Sequence, residues 1–283
     1  MVACTVDTPD MDGRLRAAGI PLVPGPERAV RAYRTLVRHA ESRRHVPGVT
    51  EDRARPPLPG MLALQLRTAR GPLAHADARA LLEVYGVPFA RERIVATRRE
   101  ALSAAEEIGY PLVVKTARPD VLHRTEAGGV VIGVRSTEAL ARAVDAIEAR
   151  LGPGPLLVQE EVPPGLELIV GGRRDPSFGP TVVVGLGGIL AEFLRDASVG
   201  LAPLTRETAR ALIAEGRRSV LLRGFRGGPA VDEDALAGLL VGVGDLLTDH
   251  PAVEELDLNP LIASAGRLVA VDALVMVNPL DDE

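Results

Sequence analysis

The sequence predicts a mixed α+β (α/β) protein with small sheets, and three observations carry that expectation. From about residue 73 to residue 277, short apolar runs alternate with longer amphipathic stretches, which is the pattern of strands and helices packed in layers. Several of the helical stretches bring their own start and stop residues, such as Thr97 before and Gly109 after one of them. The composition, 46% hydrophobic and 25% charged over 283 residues, suits one large globular domain or two ordinary ones.

The elements follow in order. Residues 1–12 carry no periodic pattern and read as unstructured or truncated. Residues 15–21 read as the end of a helix capped by Gly19 and running into an extended piece. Pro26 then opens a helix in which Ala29, Val30, Tyr33, Leu36 and Val37 recur three and four apart. A piece of this kind cannot bury its own face, so residues 1–45 are expected to be the remnant of an α/β domain whose earlier part is absent. Residues 46–72 are rich in Arg, Pro and Gly and read as a linker with one short helix at 61–66. A first lobe over 73–154 is expected to hold a helix at 77–85, a strand at 90–95, a helix from 98 to 108, strands at 112–115 and 130–134 and a helix at 136–150. The loop between those last two strands, 116–129, is far longer than a hairpin needs, and long loops are functional more often than not. After the Gly152-Pro153-Gly154-Pro155 turn a second sheet is expected, in a lobe over 155–283. Its strands are placed at 156–159, 166–171 and 181–186, followed by a helix from 207 capped by Thr205 and a long apolar helix at 231–247. A hairpin of 255–262 and 267–277, turning at Ala265-Gly266, closes the chain.

Composition removes several classes of function. A net charge of -5, 2% aromatic residues and no tryptophan give no cationic, base-stacking surface, so nucleic acid is not an expected partner. A single cysteine, Cys4, excludes an internal disulfide and fits a reducing cytoplasm, which is the expected location. No leader pattern opens the chain, and the longest apolar stretch, 236–247, is too short to span a bilayer and contains Asp245, so no membrane partner is expected either.

Of the 33 Lys and Arg residues only one, Lys115, is lysine. In a chain that writes nearly every positive charge as arginine, a solitary lysine closing an apolar strand points to a demand for a compact, movable point charge, for which phosphate oxygens in a narrow cleft are a natural target. The alternative is an ordinary lysine on a solvated face. His123 and Arg124 follow in the long loop, with Gly128 and Gly129 at its end, where backbone without a Cβ could approach phosphate. A lone histidine is usually structural. Among phosphate-binding cations, however, a neutral imidazole can attack phosphorus and carry the phosphoryl group.

The closing hairpin supplies oxygen ligands. Asp257 and Asn259 are two apart on one strand and share a face, and a turn at Ala265-Gly266 places Asn259 opposite Asp272. Two carboxylates and an amide oxygen between apolar strands suit Mg²⁺, against the alternative of a solvated face. Walker-type loops, dinucleotide fingerprints, Cys/His clusters and nucleophile elbows are absent. The glycine-rich run at 183–188 is a weak signal that a bulge and turn would explain equally well.

In order along the chain stand Tyr110-Pro-Leu-Val-Val-Lys115, Leu122-His-Arg-Thr-Glu-Ala-Gly-Gly-Val130, Arg174-Asp-Pro-Ser-Phe-Gly-Pro180, Gly185-Leu-Gly-Gly-Ile189 with Glu192, Leu201-Ala-Pro-Leu-Thr205 and Glu255-Leu-Asp-Leu-Asn-Pro-Leu261. Together these six motifs resemble the ATP-grasp (β) portion of ADP-forming acyl-CoA synthetases, the acetate–CoA ligase relatives of succinyl-CoA synthetase, over about residues 73–278. The resemblance implies an ATP-grasp fold of two α+β lobes that hold ATP or ADP between their sheets, preceded by a short remnant of a flavodoxin-like CoA-ligase domain. It implies that Lys115 contacts nucleotide phosphates, that Gln159, Glu160, Glu161 and Val162 line the adenine, and that Glu167 lies near the ribose. Asn259 and Asp272 would hold Mg²⁺ with Asp257 close by, and His123 would relay a phosphoryl group. The reaction implied converts acyl-CoA, phosphate and ADP reversibly into carboxylate, CoA and ATP. Arg124 stands where the family usually has lysine, which keeps the charge and changes the geometry. The CoA-binding domain that such a reaction needs is expected on a partner, an alpha subunit or domain, in a hetero-oligomer. Two other readings are a standalone ATP-grasp carboxylate ligase and a non-catalytic nucleotide-binding fragment.

Overall fold

The computed structural model describes residues 14, 17, 18, 25–30, 32–34, 37, 56–118, 120, 121, 124–188, 196–216, 218–224 and 230–278. The chain divides into two units, Met1–Ala54 and Arg55–Glu283. In the first, residues 26–30, 32–34 and 37 are helical, in keeping with a helix opened by Pro26, and Ala29 N donates to Gly25 O at 3.1 Å. Leu36 and most of 15–21 lie outside the described residues.

In the second unit the chain runs through α1 (Gly60–Thr68), β1 (Gly71–Pro72), α2 (His75–Val84), β2 (Glu92–Val95), α3 (Arg98–Ile108), β3 (Leu112–Thr116), β4 (Val130–Val134), α4 (Thr137–Leu151) and β5 (Leu156–Glu160). It continues with β6 (Leu166–Asp175), β7 (Gly179–Leu186), β8 (Ala197–Leu201), α5 (Arg206–Ala214), α6 (Arg218–Leu222), α7 (Glu233–Asp249), β9 (Val253–Ser264), β10 (Arg267–Ala270) and β11 (Ala273–Val277). These form a four-stranded sheet in the order β2-β5-β3-β4 and a seven-stranded sheet in the order β1-β11-β9-β6-β7-β8, with β10 paired to β9. The architecture is mixed helix and sheet, as the alternation predicts.

Two cores explain the layers. On the four-stranded sheet Leu112, Val114, Leu156 and Val158 pack against Ala101, Ala104, Ala105 and Ile108 of α3 and Leu140, Val144 and Ile147 of α4. Small alanines on the inner face of α3 let that helix lie close to the strands. Thr97 accepts from Glu100 N at 3.2 Å while the Glu100 carboxylate accepts from Ala96 N at 2.8 Å, so the start of α3 is satisfied by its own sequence. Alternation along the strands turns Val113, Lys115, Leu157 and Gln159 to the opposite face. On the seven-stranded sheet Leu168, Val170, Val182, Val184, Leu256, Leu258 and Val275 meet α1, α2, α5 and α7. Gly242 lets α7 approach the end of α2, since a Cβ there would lie 2.1 Å from Tyr85 O.

Four expectations are corrected. The strand at 156–160 belongs to the four-stranded sheet, between β2 and β3, and does not open the second one. The Gly-Pro run before it only reverses the chain from α4 back onto β3, where Ala117 N donates to Pro155 O at 2.8 Å. Residues 60–72 are no linker: Leu62 and Leu66 of α1 are buried in the larger core and β1 pairs with β11. The final strand breaks at Val271-Asp272 into β10 and β11, and β8 and α6 appear where no element was expected. The hairpin register is the expected one, with Arg267 opposite Ser264 and Ala273 opposite Leu258. Among the described residues no helix is long and apolar enough to cross a membrane.

Candidate functional site

Lys115 stands near the end of β3 on the face turned away from α3 and α4. It is 7% exposed, and its Nζ donates to the Val271 carbonyl at 2.6 Å, in the break between β10 and β11. Burial pushes its ammonium pKa down; the charge of Asp272 opposes that shift, Arg124 adds to it, and Glu92 opposes it. The solitary lysine is therefore no solvated surface residue. The same carbonyl accepts a second bond, from Gln159 Nε2 on β5 at 3.1 Å, and that nitrogen also lies 2.5 Å from Glu92 Oε2.

Glu92 opens β2 directly opposite Gln159. Its other oxygen meets His75 Nε2 at 2.7 Å and an Arg79 terminal nitrogen at 2.8 Å, two side chains one turn apart on α2. Burial alone would raise the Glu92 pKa. The hydrogen bonds and charges of His75, then of Arg79, outweigh it and hold the carboxyl at about 2. The cluster was not foreseen, because it needs β2 and β5 to be neighbours. The readable signal was the i, i+4 pairing of His75 with Arg79.

The loop after β3 brings Arg124 to Asp272, with the terminal guanidinium nitrogen 3.1 Å from Oδ1 and 3.5 Å from Oδ2. Asp272 Oδ1 also accepts from Ala273 N at 2.9 Å. His123 and Leu122 lie outside the described residues, as does Glu192. Gly128 and Gly129 make room for protein atoms: a Cβ on Gly128 would lie 2.6 Å from Arg150 Cδ, and one on Gly129 2.6 Å from Thr116 Cγ2. Gly129 also closes the loop, accepting from Thr116 N at 2.7 Å and donating to Arg124 O at 2.8 Å.

The oxygen donors lie on the neighbouring strands. Asp257 and Asn259 share a face of β9. Burial raises the Asp257 carboxyl above its ordinary range, the neighbouring Asn259 amide opposes that, and the charges of Glu255 and Asp272 reinforce it. Val271 N donates to Pro260 O at 3.3 Å and Ala273 pairs with Leu258, so Asn259 and Asp272 stand across from one another between these two contacts. The geometry thus brings Asp257, Asn259 and Asp272 into one neighbourhood with Arg124 and Lys115. Among the described residues no three His, Cys, Asp or Glu side chains are grouped so as to hold a metal ion by themselves. The set contains two carboxylates and one amide, which fits a hard cation that keeps part of its water.

The remaining predicted residues have defined partners. Glu160 is held by Arg91 Nε at 2.8 Å and lies 3.7 Å from Arg267 in the hairpin of the larger sheet. Glu161 accepts from Gly133 N at 3.0 Å, and Val162 follows it in the half-buried turn after β5. Glu167 is exposed on β6, its carboxylate lying over Gly188 in the glycine-rich run, where a Cβ would overlap it. Chemically, the junction sets one buried ammonium and one guanidinium beside a cluster of oxygen ligands, a placement suited to phosphates accompanied by a divalent cation.

A profile of the ATP-grasp domain family matches residues 65–277. The chain is 37% identical over 215 residues to the beta subunit of an ADP-forming acetate–CoA ligase I from Pyrococcus furiosus, covering 73% of this chain and 92% of that subunit. It is 36% identical over 266 residues to an ADP-forming acetate–CoA ligase I from Archaeoglobus fulgidus, covering 91% of this chain but only 39% of that protein's length. Among solved structures, the dinucleotide-forming acetyl-coenzyme A synthetase 1 of Ca. Korarchaeum cryptofilum, in complex with coenzyme A and Ca-AMPCP, superposes with a TM-score of 0.72 at 36% identity, covering 77% of this chain and 98% of that one. A second structure of that enzyme holds Mg-AMPPCP and has its phosphohistidine segment pointing towards the nucleotide site; it superposes with a TM-score of 0.66 at 38% identity, covering 73% of this chain and 93% of that one.

Proposed function

The chain belongs to the ATP-grasp family, as a relative of the beta portion of ADP-forming acyl-CoA synthetases, and from that premise we propose that it carries the nucleotide half-reaction of such an enzyme. In that half-reaction a phosphoryl group moves between a phosphohistidine and ADP, giving ATP in one direction and ADP in the other. One observation carries the reading. Lys115 is buried and fixed to the Val271 carbonyl, next in the chain to the Asp272 that Arg124 engages. A phosphoryl transition state asks little covalent chemistry of the protein and much positioning of positive charge, which this junction provides.

On this reading Lys115 orients nucleotide phosphate oxygens and Arg124 brings a second cation from the loop. Gln159, Glu160, Glu161 and Val162 border the base, and Glu167 stands near the ribose. Asp257, Asn259 and Asp272 would hold Mg²⁺, and their hard-oxygen donor set fits that ion. Bound there, Mg²⁺ would offset the negative charge of the phosphates. His123 takes the part of the phosphoryl relay on the loop that Gly129 closes. The acyl-CoA half, in which acyl-CoA, phosphate and a histidine become carboxylate, CoA and phosphohistidine, falls to a CoA-binding alpha subunit or domain, with residues 1–45 the end of such a portion. The working form is then a hetero-oligomer in the cytoplasm.

The test is phosphorylation of the full chain from γ-³²P-ATP with Mg²⁺. Acid-labile label that disappears in His123→Ala supports the relay. Label that survives His123→Ala, or no label in the wild-type chain with its CoA-binding partner present, removes it. A standalone carboxylate ligase would need no phosphohistidine, and a non-catalytic fragment would bind nucleotide without labelling. Acetyl-CoA made from acetate, CoA and ATP by the chain alone would overturn the need for a partner.

A further inference from the structure

We propose that Glu92 is a positioning residue for the nucleotide site, acting through Gln159 and the Val271 carbonyl on Lys115 and on the backbone that carries Asp272. The inference rests on the phosphoryl-transfer reading above.

The Glu92 side chain is 5% exposed, and a carboxylate so buried is tolerated only with partners. Three side chains meet it: His75 at 2.7 Å and Arg79 at 2.8 Å on one oxygen, Gln159 at 2.5 Å on the other. With His75 and Arg79 both on Oε1, Oε2 is left to orient the amide. An amide nitrogen offers two N–H bonds, and Gln159 uses one on Glu92 and one on Val271 O. The reversed amide would put its own oxygen against two acceptors, so the Glu92 charge decides which end faces Val271. The Val271 carbonyl then receives Gln159 at 3.1 Å and Lys115 at 2.6 Å, which occupies both of its lone pairs. The ammonium is thereby confined to one side of that carbonyl, and the peptide leading into Asp272 is held from the same point.

The path also joins the two cores. His75 and Arg79 stand on α2, whose Ala78, Leu81 and Leu82 pack in the larger core. Glu92 and Gln159 stand on the four-stranded sheet, and Val271 lies in the break between β10 and β11 of the seven-stranded one. Were Glu92 only a buried tie between the cores, its loss would lower stability and leave nucleotide affinity in the folded protein unchanged. A positioning role moves affinity, and does so only while Gln159 is present to transmit it.

The experiment measures Mg·ADP affinity by calorimetry and the thermal midpoint for the full chain, in wild type, Glu92→Gln, Gln159→Met and the double variant. Removing a supporting contact of this kind typically costs about 10- to 100-fold in affinity. Each single change is expected to weaken binding by at least about ten-fold, with the double variant no weaker than Gln159→Met alone. Equal affinity in wild type and Glu92→Gln, or single losses that multiply in the double variant, overturns the proposal. If Glu92→Gln does not fold, Arg79→Gln loosens the same carboxylate from outside. Its loss of affinity must likewise vanish in the Gln159→Met background, and a loss that persists there overturns the proposal. Failure of the underlying reading looks different: the wild-type chain would not bind Mg·ADP, or Lys115→Met would bind it as well as wild type, and the positioning role would fall with it.

Discussion

At the junction of the two sheets, the four-stranded one contributes Lys115 and Gln159, 7% and 1% exposed and both bonded to the Val271 carbonyl. The seven-stranded one contributes a half-buried Asp257, an exposed Asn259 and Asp272, whose side chain is 35% exposed and meets Arg124 from a loop. The cation-bearing side is thus fixed by buried protein contacts, whereas the oxygen-bearing side keeps donor atoms at the surface. This difference suits the two jobs proposed for these residues. A charge aimed at phosphate gains from being preorganised in a dry place, where it needs no rearrangement when the ligand arrives. A magnesium site must exchange water and ligands, and so gains from partial exposure.

The largest expected effect tests the buried side. Lys115→Met should lower phosphorylation of the chain, or turnover with the proposed CoA-binding partner, by about 10²- to 10³-fold, the usual consequence of removing one preorganised donor. Lys115→Arg should not restore it, because a planar fork does not fit the place of a point charge. Activity retained in Lys115→Met would erase the contrast between the sheets.

The next effect is a pH dependence set by Glu92. Its folded pKa, about 2, lies below the ordinary 4.5, so its contribution to stability is present above about pH 4.5 and is lost as pH falls through about 2. The shift corresponds to something on the order of 3 kcal/mol. Acid unfolding followed by circular dichroism should show a component over that window that Glu92→Gln lacks. Identical acid profiles would mean that the buried cluster does not hold the junction together.

The open side is expected to respond more mildly. Asp272→Asn removes one oxygen charge from the proposed metal set and the partner of Arg124, and should raise the Mg²⁺ concentration needed for half-maximal phosphorylation by about 10- to 100-fold. An unchanged requirement would leave Asp257, Asn259 and Asp272 as a surface cluster with no ion to hold. The smallest change is a control away from the junction. Thr97→Ala deletes the cap of α3 and should cost about 1 kcal/mol in denaturant unfolding while leaving Mg·ADP affinity as it is. Loss of affinity there would show that the four-stranded sheet is less rigid than its buried contacts suggest.

Much of the local structure was legible because its causes are local. Thr97 and Gly109 bound α3 as expected, Ser136 caps α4 and Thr205 caps α5, each through a side chain that satisfies backbone N–H groups a turn away. The hairpin register was also readable, since a turn at Ala265-Gly266 leaves one pairing for the strands on either side. Less was legible wherever the deciding neighbour lay far along the chain. A strand at 156–160 carries no mark saying which sheet it will join, and the Gly-Pro turn before it looked like a boundary. Residues 60–72 look like a linker by composition, yet Leu62 and Leu66 find a core built by strands about one to two hundred positions later.

The sequence by itself determined where most helices begin, that Lys115 is the only lysine, and that Asp257, Asn259 and Asp272 gather at one end of a hairpin. These follow from caps, counts and the two-residue period of a strand. Only the tertiary structure decided that Lys115 is buried, that its anchor is a main-chain carbonyl from another sheet, and that Glu92, His75 and Arg79 stand behind Gln159. Backbone carbonyls are the same at every position, and the worth of a buried charge depends on what surrounds it, so neither could be read before the two sheets were brought together.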